Sequence, residues 1–283
     1  MSRARVIGTI AVLTVKEATR RRVLLALAGL TVVLLLLSAW GFSRIAAQTM
    51  TSGERRLTAS IVLNLVMFGF SLIAALGTAF LAGPTLAGET ESGIALSVLA
   101  RPIRRADFLL GKWCGLVLFG CGFVVVAGLA QCLVVKATVD YWPPQPFAAL
   151  GQLAVQTVLL LTLAVLLSTA ISPMASGVVT VGLFGATWIA GVVGGIGAGL
   201  ENESVERVGT ISRVLLPTDA LWRGAMHSFQ DPTALVQFGG GVESSAFPFL
   251  SRGPLTPAYL VWAALWLGMI WSLAAITFVR RDL

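Results

Sequence analysis

The chain has 283 residues, of which 57% are hydrophobic and 12% charged, and its formal net charge is +7. Its mean hydropathy is +0.88, and the apolar residues come in long runs rather than in short alternations. This composition excludes an ordinary water-soluble domain and predicts a polytopic membrane protein.

Six apolar runs are close to the roughly 20 residues that a helix needs to cross about 30 Å of hydrocarbon. None of them contains Asp, Glu, Lys or Arg between its ends. An open sheet would leave its edge N–H and C=O groups unpaired in lipid, so we expect helices. The predicted fold is one all-α membrane domain over residues 1–283, with spans at 23–42, 61–83, 113–135, 147–171, 175–200 and 258–279.

Residues 1–22 precede the first span. Val6, Ile10 and Leu13 recur on one side of this stretch, which predicts an amphipathic interfacial helix on the inner leaflet. The basic residues 20–22 then anchor the first span at the membrane surface. A cleaved twin-arginine signal is disfavoured because its apolar core is typically only about 7 to 15 residues long.

The charges predict how the spans are oriented. Alternate connections place 12 basic and five acidic residues on one side, against eight and eight on the other. The positive-inside rule therefore places both termini in the cytoplasm. The whole net charge lies on one membrane face, so anionic lipid headgroups are the expected counter-charge and no nucleic-acid partner is predicted.

Residues 88–112, "GETESGIALSVLARPIRRADFLLGK", carry seven charges between the second and third spans. At about 2.5 kcal/mol or more per charge at mid-bilayer, this segment cannot be another span. Its apolar residues predict a short cytoplasmic helix that stops near Arg101, because Pro102 disfavours the α conformation before it. Asp107 is expected to cap the next helix. The segment 84–107 is therefore either an element that transmits movement to the second and third spans or only a basic anchor at the membrane surface.

Two further connections are informative. Residues 171–176 contain Pro173 and form either a second cytoplasmic contact or only a turn. On the outer side, residues 201–257 predict two amphipathic helices on or in the outer leaflet, the second beginning at Thr218 or Asp219. The Gly-, Ser- and Pro-rich remainder of this connection is a candidate docking surface for an extracytoplasmic partner protein.

Few side chains suggest chemistry inside the spans. Gln152, Gln156 and Thr157 are assigned to one side of the fourth span, where they bond other helices or line a route for cargo. The absence of acidic residues there argues against a proton-coupled carrier. Cysteines 114, 121 and 132 share a helix face without the spacing of a metal site, and His227 is the only histidine. No metal site is predicted.

The segment 88–112 resembles the connection between the second and third spans of ABC-2-type transporter permeases. The matching positions are Glu89, Glu91, Gly93, Leu99, Pro102, Arg105, Phe108, Gly111 and Lys112. The six spans, the amino-terminal "VLTVKEATRRR" and the carboxyl-terminal "FVRRDL" are similar to that family too. More narrowly, "LLPTDALWR" resembles a stretch of permeases associated with nitrous-oxide reductase maturation.

The resemblance implies a permease subunit, most simply an exporter, of a prokaryotic cytoplasmic (inner) membrane. It implies a homo- or heterodimer with a second permease copy and two copies of an ABC ATPase subunit. The expected ATPase contacts are Glu89, Glu91, Gly93, Arg101, Pro102 and Arg105. ATP and Mg would sit on the ATPase, and this chain, which lacks a G-x-x-x-x-G-K-[ST] motif, is expected to have no catalytic residue or cofactor of its own. A non-transporting scaffold or an ion-coupled carrier stays as an alternative.

Overall fold

The computed structural model describes residues 3–20, 22–91, 104–233, 248–251 and 253–280, and among these it contains helices and no strand. In chain order we label the helices α1 (Arg3–Thr19), α2 (Arg22–Ala46), α3 (Ser52–Glu91), α4 (Arg105–Val139), α5 (Pro146–Ser168), α6 (Pro173–Gly199), α7 (Glu203–Leu215), α8 (Thr218–Phe229) and α9 (Pro257–Arg280).

Six of these helices are long and apolar enough to cross a membrane: α2, α4, α5, α6, α9 and the Ser52–Gly83 part of α3. They coincide with the six predicted spans, so the prediction of an all-α protein with six membrane-spanning helices is confirmed. Proline is the first residue of α5, α6 and α9. At this position proline sacrifices no helical hydrogen bond, because the first N–H groups of a helix lack an internal partner.

The second spanning helix is much longer than the sequence suggests. At 1.5 Å per residue, the 40 residues of α3 extend about 60 Å, roughly twice the hydrocarbon thickness. Residues 84–91 therefore continue the spanning helix, and this part of the predicted segment 84–107 is not a separate cytoplasmic helix. Residues 92–103, with Gly93, Arg101 and Pro102, lie outside the described residues.

The next helix begins without the expected side-chain cap. Arg104 occupies the N-cap position of α4, and Asp107 lies within the first turn instead of preceding it. Its carboxylate is 3.5 Å from Arg3 Nε. An acidic residue in the first turn is favoured there by the positive end of the helix dipole. The prediction that Asp107 caps α4 is therefore wrong.

Polar side chains join the spans to one another. Gln131 Nε2 donates to Ser38 Oγ at 2.6 Å, between α4 and α2. Trp113 Nε1 donates to Thr162 Oγ1 at 2.9 Å, between α4 and α5. Hydrogen bonds between helices are favoured inside a bundle because hydrocarbon offers these groups no other partner. The polar residues of the spans thus act at least in part as helix contacts.

The two short helices after α6 differ from each other. α7 is amphipathic, and Ile211 and Leu215 on its surface are 58% and 70% exposed. In contrast, α8 is buried within the bundle, where Trp222 and Phe229 are covered almost completely. Pro217 is the N-cap of α8, and no side-chain cap bond forms, so the capping role expected for Thr218 or Asp219 is wrong.

Candidate functional site

One end of the bundle gathers most of the segments that the sequence singles out. We call it the amino-terminal face. It consists of α1, residues 84–91, residues 104–115, the α5–α6 connection at 169–176 and the end of α9 at 277–280. The six spans alternate in direction, so these segments share one end and α7 and α8 belong to the opposite face.

Helix α1 packs across the beginning of α4 rather than only lying on a bilayer. A Cβ atom at Gly111 would be 2.7 Å from Ile10 Cβ, and one at Gly115 would be 2.7 Å from the carbonyl oxygen of Ala11. Real Cβ atoms do not approach other atoms this closely, so the absence of a side chain at both positions permits the contact. Small residues four apart allow helices to approach in the same way inside membranes.

Ion pairs hold both ends of α1 against α4. Arg3 contacts Asp107, as described above, and Lys112 Nζ lies 3.3 Å from Glu17 Oε2. The Lys112 ammonium is also 5.8 Å from the centre of the Phe108 ring. The Lys112 side chain is only 10% exposed, so its attraction to Glu17 is screened less than in an exposed pair.

The beginning of α4 is also joined to the last span. Arg105 Nη1 donates to the carbonyl oxygen of Val279 at 3.2 Å. The rings of Phe108 and Phe278 stack with their centres 6.3 Å apart. Such ring pairs add about 0.5 to 1.5 kcal/mol beyond the burial of their area. The start of α4 is therefore held by α1 on one side and by α9 on another.

The α5–α6 connection packs where α3 leaves its membrane-spanning part. A Cβ atom at Gly83 would overlap the carbonyl oxygen of Pro173, and one at Gly177 would be 2.8 Å from the carbonyl oxygen of Ala79. The connection is also tied to α9 by a hydrogen bond of 3.0 Å between the hydroxyls of Thr169 and Thr277. The second predicted contact segment, 171–176, therefore lies beside Gly83, the residue that precedes the first one.

The predicted partner-contact residues are described to different extents. Glu89 and Glu91 lie in the last turns of α3, in the part of the helix for which only the backbone is described. Arg105 is the first residue of α4 and donates to the carbonyl oxygen of Val279, as described above. Gly93, Arg101 and Pro102 lie between residues 92 and 103, outside the described residues. Sequence reasoning missed Glu17 and Gly115, and the G-x-x-x-G spacing from Gly111 was the available signal.

The predicted route residues of α5 meet three different helices. Gln156 Oε1 accepts from Ser71 Oγ of α3 at 3.2 Å. Gln152 lies towards α8, where its side chain is 2.8 Å from the position of a Cβ on Gly224. Thr157 instead lies beside Gly120 of α4. The structure thus does not bring Gln152, Gln156 and Thr157 together on one wall.

The cysteines and the histidine form no metal centre among the described residues, where no group of three potential ligands is found. Cys132 is buried, and Cys121 Sγ lies 3.9 Å from the carbonyl oxygen of Ala154. His227 Nδ1 is buried and has no hydrogen-bond partner in the part of the chain that the structure describes.

On the opposite face, α8 is fixed by a buried charge cluster. Asp219 Oδ2 accepts from Arg213 Nε and from Arg223 Nε, each at 3.0 Å. Arg223 Nη2 also donates to the carbonyl oxygen of Gly191 at 2.6 Å. The Asp219 side chain is 1% exposed, so the two guanidinium groups offset the cost of burying its charge.

Tyr141 adds a contact between the α4–α5 connection and the end of α8. Its hydroxyl donates to the carbonyl oxygen of Phe229 at 2.6 Å. Burial of the ring, with the negative charge of Asp231 nearby, raises the pKa of the Tyr141 hydroxyl above its ordinary value.

No protein-family model matches this chain, and no curated protein matches it.

Proposed function

We propose that this chain is the membrane-spanning subunit of an ATP-driven transporter of the ABC-2 type. In this proposal a separate ATPase subunit binds the amino-terminal face at residues 84–107 and 169–176. The observation that carries the proposal is that α3 and α4 are both held by neighbouring helices at this face. The start of α6 packs against α3, and α1 and α9 contact the start of α4.

Helix continuity supports the transmission of force. Residues 84–91 continue the helix of the second span, although Pro84 lacks an N–H and leaves one backbone hydrogen bond of α3 unmade, and α4 is continuous from Arg105 to Val139. A helix transmits displacement along its axis through its backbone hydrogen bonds, and α4 contains no proline that would interrupt them. Displacement of the segment between α3 and α4 would therefore shift two spans, and α1, α6 and α9 would be carried with them.

The charges of the face agree with a protein partner. Glu89 and Glu91 precede the segment, and Arg104 and Arg105 follow it. Arg104 is exposed and open to a partner.

In the proposed assembly a second permease copy and two ATPase copies complete the transporter, and ATP and Mg sit on the ATPase. We place it in a prokaryotic cytoplasmic membrane, exporting an amphipathic cargo, because the spans contain no charged recognition site.

Purification with a nucleotidase tests this function. The tagged chain is extracted from its native membrane in mild detergent, and hydrolysis of Mg-ATP by the purified complex is measured. We expect activity with the unaltered chain and its loss, together with the ATPase band, in a Glu89→Lys/Glu91→Lys variant. Glu203→Lys, which changes an exposed carboxylate on the opposite face, is the matched control.

The outcomes separate the function from the contact residues. A stable, monodisperse complex without any nucleotidase would overturn the proposed function. Normal ATPase binding and hydrolysis in the double lysine variant would instead retain the function but remove Glu89 and Glu91 from the contact.

A further inference from the structure

A large apolar cavity lies between α2, α3 and α4, with α1 and α5 at its edges. Its volume is about 720 Å³, within the range of about 300 to 1,000 Å³ that is common for ligand sites. Ile73 and Ala127 are buried on its floor, whereas Leu25, Leu118 and Val126 on its rim are 75%, 66% and 70% exposed. We call it the lateral cavity, because this exposed rim opens it to the side of the bundle.

The polar atoms of the cavity wall are already satisfied. Four threonines line the cavity, and each hydroxyl donates to a carbonyl oxygen three or four residues earlier in its own helix. These bonds are Thr19 to Lys16, Thr31 to Leu27, Thr78 to Ala75 and Thr157 to Leu153. The wall therefore offers methyl and methylene groups to an occupant and no hydroxyl donor. A hydrocarbon chain fits this chemistry, and a polar solute does not.

The position of the cavity along the membrane matches one leaflet. On α2 its lining runs from Leu24 to Leu35, which corresponds to about 16 Å of helix. This is close to half of the about 30 Å hydrocarbon thickness. Its end near Thr19 and Leu24 belongs to the amino-terminal face, so the cavity occupies the half of the bilayer on that side.

Basic residues stand at the same end. Arg20 and Arg22 lie between the lining residues Thr19 and Leu24, and both are exposed. Neither forms an ion pair with another residue that the structure describes. Lys16, one turn earlier on α1, is exposed as well. Cationic side chains at the membrane surface attract anionic headgroups with about 1 kcal/mol per charge.

We propose that the lateral cavity binds one acyl chain of an anionic phospholipid from the leaflet on the amino-terminal side, whose headgroup contacts Arg20 and Arg22. The lipid would fill the space between α2 and the α3–α4 pair and so complete the packing of a helix that few protein atoms cover. This site does not depend on the proposed ATPase partner, because every residue that forms it belongs to this chain.

Native mass spectrometry of the purified protein, with whatever subunits accompany it, tests the site. The protein is exchanged into detergent containing either phosphatidylglycerol or phosphatidylcholine with identical acyl chains. We expect one phosphatidylglycerol per chain to be retained in preference to phosphatidylcholine. Arg20→Gln and Arg22→Gln should each lower this preference about fivefold, as expected for loss of one charge near the surface. Arg44→Gln, near the other end of α2, is the matched control.

A second pair of variants addresses the acyl chain. Gly77 and Gly122 both line the cavity, and a Cβ at either position meets nothing closer than 3.5 Å. Gly77→Leu combined with Gly122→Leu should fill part of the space and lower lipid retention about tenfold, which corresponds to the lost contact of about two methylene groups. Gly29→Leu is the control on α2, because a Cβ at Gly29 meets no atom within 4 Å and Gly29 does not line the cavity.

A photo-crosslinker at Leu118, on the cavity rim, identifies the occupant directly in native membranes. An adduct with the mass of an anionic phospholipid supports the proposal. An adduct between two copies of the chain would overturn it, because a second copy would then cover the cavity. Equal retention of the two lipids, or unchanged retention in the filled variant that elutes and unfolds normally, would also overturn it.

Discussion

Lys112 of α4 and Glu17 of α1 form an ion pair across the amino-terminal face, with 3.3 Å between Nζ and Oε2. The lysine side chain is 10% exposed and the glutamate 39%. We expect Glu17→Gln to lower the free energy of unfolding by about 1 kcal/mol, less than for a fully buried pair because water reaches the glutamate. Thermal unfolding in detergent measures the change.

A double-mutant cycle with Lys112→Gln provides the control for that prediction. If the pair stabilises the α1–α4 contact, the double variant should lose less than the sum of the two single losses. Strict additivity would contradict a direct interaction between the two side chains.

The close approach at Gly115 should tolerate no side chain. We expect Gly115→Ala to cost about 1 to 3 kcal/mol, because its Cβ would be 2.7 Å from the carbonyl oxygen of Ala11 and the packed helices must shift. Faster proteolysis of α1 in membrane vesicles would report its release from α4. Gly268→Ala in α9 is the matched control, since a Cβ there meets no atom within 4 Å.

Removal of the buried charge of Asp219 should be far more damaging than removal of an exposed one. Asp219→Asn leaves Arg213 and Arg223 facing each other without the carboxylate, and we expect a loss of about 3 kcal/mol or more. Asp140→Asn removes an exposed carboxylate that pairs with Lys136, and it should change stability by less than about 0.5 kcal/mol. Similar unfolding temperatures for the two variants would contradict the structural role of Asp219.

Tyr141 should ionise only at strongly alkaline pH. Burial raises the pKa of its hydroxyl above the ordinary value of 10.0. A raised pKa in the folded state means that stability is retained below the ordinary pKa and is lost as the pH rises towards the folded-state value. Tyr259 is the only other tyrosine, so the tyrosinate absorbance of a Tyr259→Phe variant reports Tyr141 alone. Ionisation near pH 10 in the folded protein would contradict burial.

The spans were predictable because their length is set by the thickness of hydrocarbon, which apolar runs record directly. The end of α3 and the start of α4 could not be predicted in this way. Charges after Gly83 indicate where lipid ends, but they do not indicate whether the helix ends there. Similarly, Asp107 is a good capping residue in isolation, yet Arg3, 104 residues earlier in the chain, gives it a different partner.

The burial of α8 could not be predicted from the sequence, for a different reason. An amphipathic pattern identifies the apolar side of a helix, but the polar side of α8 is covered as well, because Asp219 and Arg223 find partners in α7 and α6. Gly191 makes room for the Asp219 carboxylate, and Gly194 lies against Gly209 of α7, so these two glycines of α6 admit other elements closely.

The length of α3 couples events at the two surfaces of the membrane by leverage. If the part of α3 that precedes Pro84, about 48 Å long, pivots at its middle, a tilt of about 5° moves each of its ends by about 2 Å, in opposite directions. Near its first end, Arg56 lies 3.5 Å from Asp231. A shift of nearly that size at Arg56 is enough to separate this ion pair, so movement at one surface would reach residue 231 on the other.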